Sequence, residues 1–312
     1  MSSKHNSTSF SRFLSPRFWP IWILLWWMKC AALLPYPSQI IIGKWLGRIG
    51  FYIAAKKRRI VMRNLEICFP ELSDVEQKKL LKKHFEAMGA AFSEMGLGWY
   101  SSTERLLNLI KVEGLEHLEE ARKKGKGIIV LCAHFTTLET STSILGELFP
   151  GLKAVYSPQS NEMIDTMIYQ GRQRLAKQQI PKDNIRAMVR ELRNNGIVGY
   201  LADLVTDGSN SALIPFFTEP AITTTTVSKL AKITDATVLT YFFTRLPGKT
   251  GYVVNIGAPL SNFPTDDVIA DTRRLVKRLE DYIRRAPEQY MWTYRRFKGR
   301  PDSYPDVYDA EL

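Results

Sequence analysis

The sequence is poor in the residues that build disulfide frameworks and metal centres. Three cysteines, Cys30, Cys68 and Cys132, are widely separated and form no Cys-x-x-Cys pair, which argues against a disulfide framework and a thiolate zinc site. Four histidines form neither a His-Glu-x-x-His motif nor a pair at helical spacing. We therefore predict a protein without a structural or catalytic metal, in a reducing compartment.

Several signatures of cofactor and nucleophile chemistry are also missing. The chain contains no Gly-x-Ser-x-Gly elbow, no Walker A motif and no Gly-x-Gly-x-x-Gly fingerprint. A serine hydrolase, an ATP-driven ligase and a Rossmann dehydrogenase therefore lose support, and we expect no cofactor.

Glycine and proline are not concentrated in any one segment. Since the 19 glycines and 16 prolines are scattered along 312 residues, most of the chain should fold around an apolar core.

Acidic residues are in deficit, with 31 Asp and Glu against 43 Lys and Arg, and the net charge is +12. A folded protein this basic should have an acidic partner, and the candidates are nucleic acid, an anionic membrane and an acidic carrier protein. No nucleic-acid motif is recognisable, so a non-catalytic basic binding protein is the least favoured interpretation.

The N-terminal region predicts contact with a membrane. Residues 18–34 read FWPIWILLWWMKCAALL, with one charge and four tryptophans, which suit the lipid headgroup layer. Lys29 and the absence of a small-residue cleavage site argue against a secreted signal peptide. The segment is barely long enough to span a bilayer, so both a transmembrane helix and one lying in a single leaflet remain open.

Charges after this segment predict its orientation. Cations after residue 34, including the cluster at 56–59, outnumber those before residue 18, which predicts contact with anionic lipid and a cytoplasmic body. We expect a tail and membrane anchor over residues 1–45 and one catalytic domain over 46–312, with the body of the protein on the cytoplasmic side of the membrane.

The body alternates between helical and strand patterns. Ser73, followed by Glu76, predicts the start of a long helix, and later helices are expected at 163–175, 185–193 and 268–283. Short apolar runs between the helical stretches predict strands at 128–132, 152–156, 197–201, 238–243 and 252–256. This alternation predicts an α/β fold with a mostly parallel central sheet flanked by helices.

Two strands end on residues with catalytic potential. The run from residue 128 leads into His134, and the run from residue 197 leads into Asp203. Reactive groups collect at the carboxyl ends of parallel strands. Glu139, five residues after His134, could fold back onto one imidazole nitrogen and leave the other to act as a general base. A structural histidine is the alternative, because a His-x4-Glu spacing is weak evidence alone.

The sequence resembles the late-acting lipid A acyltransferases, of the lauroyl or myristoyl type, over nearly its whole length. The C-terminal block is the most specific match. The stretches that carry the resemblance are HFTTLE (134–139), QGRQR (170–174), GYLADLVTDG (199–208), PFFTEPAITTTT (215–226) and APEQYMWTYRRFKGRPD (286–302).

The resemblance implies acyl transfer from an acyl carrier protein thioester to a hydroxyl on an acyl chain of a Kdo-bearing lipid A precursor. It implies that His134 and Glu139 are catalytic and that Arg172 and Asp203 belong to the active site. Arg174 is expected to be peripheral. In the basic C-terminal block, Arg295 and Arg296 are candidates for substrate binding. The alternative is that these arginines simply face solvent. Capping or helix-surface roles are the corresponding alternatives for Asp203 and Arg172.

One branch of the wider superfamily fits less well. Glycerol-phosphate acyltransferases usually pair His with Asp and carry a Phe-Pro-Glu-Gly-type motif downstream. Here Phe69-Pro70-Glu71-Leu72 lies upstream of His134 and lacks the Gly. These differences weaken the glycerol-phosphate branch. The nearest alternative is still an acyltransferase of the same fold that acts on another glycolipid or on a glycerol phosphate.

Overall fold

The computed structural model describes residues 13–158, 161–172, 179–204 and 210–308. Its helices are α1 (Trp19–Leu33), α2 (Tyr36–Ile53), α3 (Ala55–Cys68), α4 (Asp74–Tyr100), α5 (Thr103–Leu107), α6 (Leu115–Lys123), α7 (Leu138–Leu148), α8 (Glu162–Gly171), α9 (Ile185–Arg193), α10 (Thr226–Thr234) and α11 (Val268–Arg285). Its strands are β1 (Ile110–Glu113), β2 (Ile128–Cys132), β3 (Lys153–Tyr156), β4 (Gln179–Pro181), β5 (Ile197–Leu201), β6 (Ser211–Phe216), β7 (Glu219–Thr224), β8 (Thr237–Arg245) and β9 (Tyr252–Gly257).

Seven strands form one sheet in the order β1-β9-β8-β2-β5-β3-β4. All neighbouring pairs are parallel except β8 and β9, which are antiparallel. The strands β6 and β7 form a separate antiparallel hairpin. Apolar clusters cover both faces of the sheet, one including residues of α2, α4, α6 and α7, the other residues of α9, α10 and α11.

The predicted α/β fold with a mostly parallel, helix-flanked sheet is confirmed. The long helix α4 begins with the predicted capping box, in which the Ser73 hydroxyl accepts from the Glu76 backbone N–H and the Glu76 carboxylate accepts from the Ser73 N–H at 2.9 Å. The five predicted strands are present within two residues at each end. The prediction omitted β1, β4 and the β6–β7 hairpin, because their short or polar sequences give little apolar signal.

The N-terminal helices expose a broad apolar surface. No helix in the described ranges is both long and apolar enough to cross a membrane, so the transmembrane form of the predicted anchor finds no support there. The predicted domain boundary at residues 45 and 46 falls within α2. The large apolar side chains exposed by more than half on α1 and α2 are Trp19, Ile23, Trp26, Leu33, Trp45, Ile49, Tyr52 and Ile53.

Helix α2 is held against α4 by an unusually close backbone contact. A Cβ atom added at Gly47 would lie 2.1 Å from the Phe85 carbonyl oxygen, and one added at Gly89 would lie 2.1 Å from the Gly43 oxygen. Only glycine permits two helix backbones to approach this closely. The contact therefore fixes both the distance and the rotation of α2 relative to α4.

A buried ion pair links α4 to the C-terminal end of strand β8 in the sheet. Glu94 on α4 binds Arg245 at the end of β8, with 2.6 Å between Nε and Oε1 and a second contact from Nη2. Tyr252 on β9 donates to the same carboxylate at 2.8 Å. Because the Glu94 and Arg245 side chains are almost fully buried, each depends on the other for charge compensation.

The close helix contact predicts opposite effects of two similar substitutions in α2. Gly47→Ala should lower the free energy of unfolding by about 1–3 kcal/mol, because the new methyl group overlaps the α4 backbone. Gly50→Ala should raise it by up to about 1 kcal/mol, since a Cβ atom there meets nothing within 4 Å and alanine favours helix. Thermal unfolding followed by circular dichroism, in one detergent, checks both. Equal effects would contradict the packing argument.

The buried pair predicts a larger loss of stability than an exposed pair does. Glu94→Ala should cost about 3–5 kcal/mol, because Arg245 would remain buried without a counter-ion. The matched control is Glu113→Ala, which breaks the exposed pair with Lys111 and should cost about 1 kcal/mol or less. Denaturant unfolding of the two variants measures the difference. A Glu94→Ala protein as stable as Glu113→Ala would show that Arg245 is compensated elsewhere.

Candidate active site

The register of two neighbouring strands brings His134 and Asp203 together. Cys132 at the end of β2 pairs with Leu201 at the end of β5, and each candidate residue follows two positions later. The His134 ring nitrogen Nδ1 lies 2.7 Å from Asp203 Oδ1, and the His134 backbone N–H donates to Oδ2 at 2.8 Å. The Asp203 carboxylate therefore fixes both the backbone and the ring of His134.

Asp203 is buried and held in its charged form. Burial alone would raise its pKa, but the charge and hydrogen bonds of His134, with a smaller contribution from Arg296, lower the pKa below its usual value. The buried Tyr290 hydroxyl is a further donor to this carboxylate. A charged Asp203 accepts a hydrogen bond from Nδ1–H, so the basic nitrogen of the neutral imidazole is Nε2.

Glu139 has a different partner from the one expected. Its carboxylate binds Arg172 through two contacts, 3.2 Å from Nε to Oε2 and 2.5 Å from Nη2 to Oε1. Asp203, and not Glu139, occupies Nδ1 of His134. The expected contact between Glu139 and the imidazole is therefore wrong, because the strand register supplies a carboxylate that approaches the ring more directly than the first turn of α7. Both Glu139 and Arg172 remain about one-fifth exposed.

The two C-terminal arginines are in different environments. Arg296 is buried, donates to the Ile222 carbonyl oxygen at 2.7 Å and to the Thr223 hydroxyl at 2.6 Å, and packs over Phe216. Arg295 is half-buried, with its guanidinium 5.7 Å from the centre of the Tyr308 ring. Arg296 thus lies on the Asp203 side of the site, whereas Arg295 packs away from it. Their roles in substrate binding stay predictions.

A narrow apolar cavity borders Asp203 and Arg296. It is lined mainly by residues of β2, β7 and α11, and its volume is about 30 Å³. The side chains that close it include Leu131, Val227, Phe242, Leu275, Val276 and Leu279. This packing keeps bulk water from Asp203, so its interaction with His134 is weakly screened.

The C-terminal segment holds the loop that carries His134. The Met291 N–H donates to the His134 carbonyl oxygen at 2.9 Å, and the Thr136 N–H donates to the Gln289 oxygen at 2.7 Å. Sequence reasoning missed Tyr290, although it lies inside the most specific block of the chain. Arg174, expected to be peripheral, lies outside the described residues.

The geometry suits removal of a proton from a hydroxyl group. No described residue forms a hydrogen bond with His134 Nε2, and the side chain is 21% exposed, so a substrate can reach that nitrogen. In the described ranges, no three His, Cys, Asp or Glu side chains are grouped to hold a metal ion. Fold and site together define an α/β enzyme with a His–Asp pair able to activate an oxygen nucleophile.

Comparison with known proteins identifies the family. Residues 7–299 match the model of the bacterial lipid A biosynthesis acyltransferases. The chain is 33% identical over 296 residues to the lipid A biosynthesis lauroyltransferase of Escherichia coli, covering 95% of this chain and 96% of that protein. It is 34% identical over 302 residues to a lipid A biosynthesis acyltransferase of Haemophilus influenzae, with the same coverage.

A third relative, the E. coli lipid A biosynthesis palmitoleoyltransferase, is 33% identical over 305 residues, covering 96% of this chain and 98% of that protein. The chain therefore belongs to the bacterial lipid A biosynthesis acyltransferase family and is an O-acyltransferase. Membership confirms the resemblance found from the motifs. It also removes support from a non-catalytic binding protein.

The Asp203 contact predicts a loss of turnover without a loss of fold. In Asp203→Asn, an amide can donate as well as accept, so it no longer selects the Nδ1–H form of His134, and kcat should fall by about 10²–10⁴-fold. Steady-state acyl transfer to a lipid A precursor gives kcat, and circular dichroism checks the fold.

Asp271→Asn is the matched control for this substitution. Asp271 is equally buried, but it accepts from the Thr265 N–H at 2.6 Å and pairs with Arg274 at the start of α11. The control should lose stability and keep its kcat. Wild-type turnover in folded Asp203→Asn would rule out the His134–Asp203 assignment.

Proposed function

We propose that this enzyme transfers a fatty acyl group from an acyl carrier protein thioester to a hydroxyl on an acyl chain of a Kdo-lipid A precursor. The observation that carries the proposal is the His134–Asp203 contact, which leaves Nε2 accessible in a chain of the lipid A acyltransferase family. The named relatives transfer lauroyl and palmitoleoyl groups, which supports a medium or long acyl donor.

The proposed reaction needs one base and one acid, and His134 serves as both. Nε2 takes the proton of the acceptor hydroxyl while the oxygen attacks the thioester carbonyl carbon. The carbon–sulfur bond then breaks, and the imidazolium returns the proton to the departing thiolate. Asp203 holds the ring and stabilises its positive charge during this step.

The Glu139–Arg172 pair has a supporting role in this proposal. Because Arg172 compensates the charge of Glu139, the pair can lie beside the reacting groups without repelling an anionic substrate. The guanidinium is also a donor for a developing oxyanion or for an anionic group of the acceptor. Glu139, predicted to be catalytic, is a positioning residue in this proposal because it acts through Arg172. Asp203 takes the orienting role first assigned to Glu139.

Positively charged side chains on α11 support an acidic donor protein. The outward face of α11 exposes Arg273 and Lys277, and Arg278 is half-exposed beside them. The helix packs with its buried face against the side of the sheet opposite to α2, so the exposed face points away from the sheet. A carrier protein could therefore approach from the side away from the exposed apolar helices.

The exposed apolar surface supports attachment to the inner membrane with the catalytic site on the cytoplasmic side. Trp19, Trp26 and Trp45 combine an apolar ring with an N–H group and suit the headgroup region. Exposed cations at Lys56 and Lys57, directly after α2, would contact anionic lipid.

The proposal predicts the product and the effect of removing the base. Purified enzyme, acyl carrier proteins loaded with C12 to C16 chains, and a Kdo-lipid A precursor should give a product with one added acyl group by mass spectrometry. His134→Ala should lower kcat by about 10²–10⁴-fold, because the general base is lost. Glu139→Ala should also be impaired, since Arg172 would lose its counter-charge.

His117→Ala is the control for removal of a histidine. His117 lies on α6, where its ring is 3.9 Å from the Glu116 carboxylate, and its removal should leave turnover unchanged. Wild-type turnover in folded His134→Ala would exclude the base mechanism. Folded wild-type enzyme without product from any donor length would exclude the acceptor, and other glycolipids would then be the candidates.

A further inference from the structure

A large groove lies on the α2 side of the molecule, beside the C-terminal segment that holds the His134 loop. Its volume is about 550 Å³. It is bounded by α2, α4, β1, the last turn of α11, the end of β8 and the start of β9 with the turn between them, and Ala286 to Gln289. None of its lining residues belongs to the His134–Asp203 or Glu139–Arg172 pairs.

Lys111 lines this groove and pairs with Glu113. Three further lysines line it from three separate elements: Lys44 on α2, Lys83 on α4, and Lys249 on the turn between β8 and β9. In the described part of the chain, no carboxylate forms an ion pair with any of them. Like charges that share a groove without a counter-ion repel each other, and an anionic ligand would relieve that repulsion.

The carboxylates of the groove already have partners. Glu86 accepts from Arg48 at 2.7 Å, and Glu113 accepts from Lys111 at 2.8 Å. Glu288 accepts from the Gln289 side-chain amide at 3.3 Å. Arg48 and Lys111 compensate the charges of Glu86 and Glu113, whereas Glu288 has only a neutral partner. Arg285 also lines the groove and offsets the Glu288 charge, so the three lysines remain as an excess of positive charge.

Packing fixes where the lysines lie. Lys44 follows Gly43, whose backbone is in close contact with α4, the helix that carries Lys83. Lys249 lies in a tight turn with a φ of 62°, and this turn packs against α2. The cations are thus attached to rigid backbone even though their side chains are long.

The groove lies between an apolar surface and the catalytic loop. On one side, α2 exposes Ile41, Ile42 and Trp45 next to Lys44. On the other side, Gln289 belongs to the groove wall and its carbonyl oxygen binds Thr136, two residues from His134. A ligand with a charged headgroup and apolar chains would match both sides.

We propose that this groove binds a phosphate group of the acceptor glycolipid and so positions its acyl hydroxyl toward His134. The inference rests on the proposed function, because a phosphorylated glycolipid must be the acceptor. Lys44, Lys83 and Lys249 bind the phosphate, and the apolar face of α2 remains in contact with the lipid chains. The three lysines act in acceptor binding and take no part in proton transfer.

The test compares two triple variants that remove the same charge. Lys44→Gln, Lys83→Gln and Lys249→Gln together should raise KM for the phosphorylated acceptor by about tenfold or more and leave kcat nearly unchanged, because only binding is lost. The control removes three exposed lysines outside the groove, by Lys78→Gln, Lys123→Gln and Lys124→Gln, and should keep the wild-type KM. An equal rise of KM in both variants would overturn the site.

A binding measurement separates this proposal from the proposed reaction. Flotation with phosphatidylcholine vesicles that carry the phosphorylated glycolipid needs no donor and no turnover. Wild type should bind these vesicles more tightly than vesicles with the dephosphorylated glycolipid, and the groove variant should lose that difference. This result would support the groove even if no acyl product formed, in which case the proposed function alone would fail.

Two outcomes of the binding experiment would overturn the proposal. The first is equal binding of wild type to phosphorylated and dephosphorylated glycolipid. The second is lysine-dependent binding of inorganic phosphate, measured by calorimetry, without any preference for the phosphorylated lipid. The second outcome would make the groove a site for free phosphate.

Discussion

The active site depends on keeping one buried carboxylate charged. Asp203 lies beside apolar side chains of β2, β8 and α11, where an isolated charge would be costly. Donors from two distant parts of the chain make that charge tolerable: the ring and backbone of His134, and the hydroxyl of Tyr290, with Arg296 nearby. The β2–β5 register and the docking of the C-terminal segment are therefore requirements of the same electrostatic balance.

The sequence predicted the main architecture because its signals were local and strong. The capping box at Ser73 and the apolar runs of β2, β5 and β8 each lie within a few residues, and the structure contains them at those positions. Strands whose local sequence pattern is weak were not predicted. The three-residue strand β4 and the four-residue strand β1 become recognisable only through their neighbours, β3 and β9.

The sequence predicted which residues belong to the site, but it did not predict which of them contact each other. His134, Asp203, Glu139 and Arg172 all came from strand ends and motifs, and the structure brings them together as two pairs. A spacing of five residues favoured Glu139 as the partner of His134, whereas the actual partner is 69 residues away. That choice requires knowing that β2 and β5 are neighbours, which no local pattern contains. Tyr290 was missed because a tyrosine in an aromatic block gives no sign of its hydrogen-bond partner.

The glycine contact between α2 and α4 has a mechanical consequence. A helix whose backbone touches its neighbour cannot turn about its own axis without first moving away from it. The apolar face of α2 and the side that carries Lys44 therefore keep a constant angle to the sheet. Any surface that contacts Trp45 and Ile49 therefore keeps a fixed orientation relative to the strand ends that carry His134 and Asp203. The depth and tilt at which the enzyme would meet such a surface depend on three glycines, Gly43, Gly47 and Gly89.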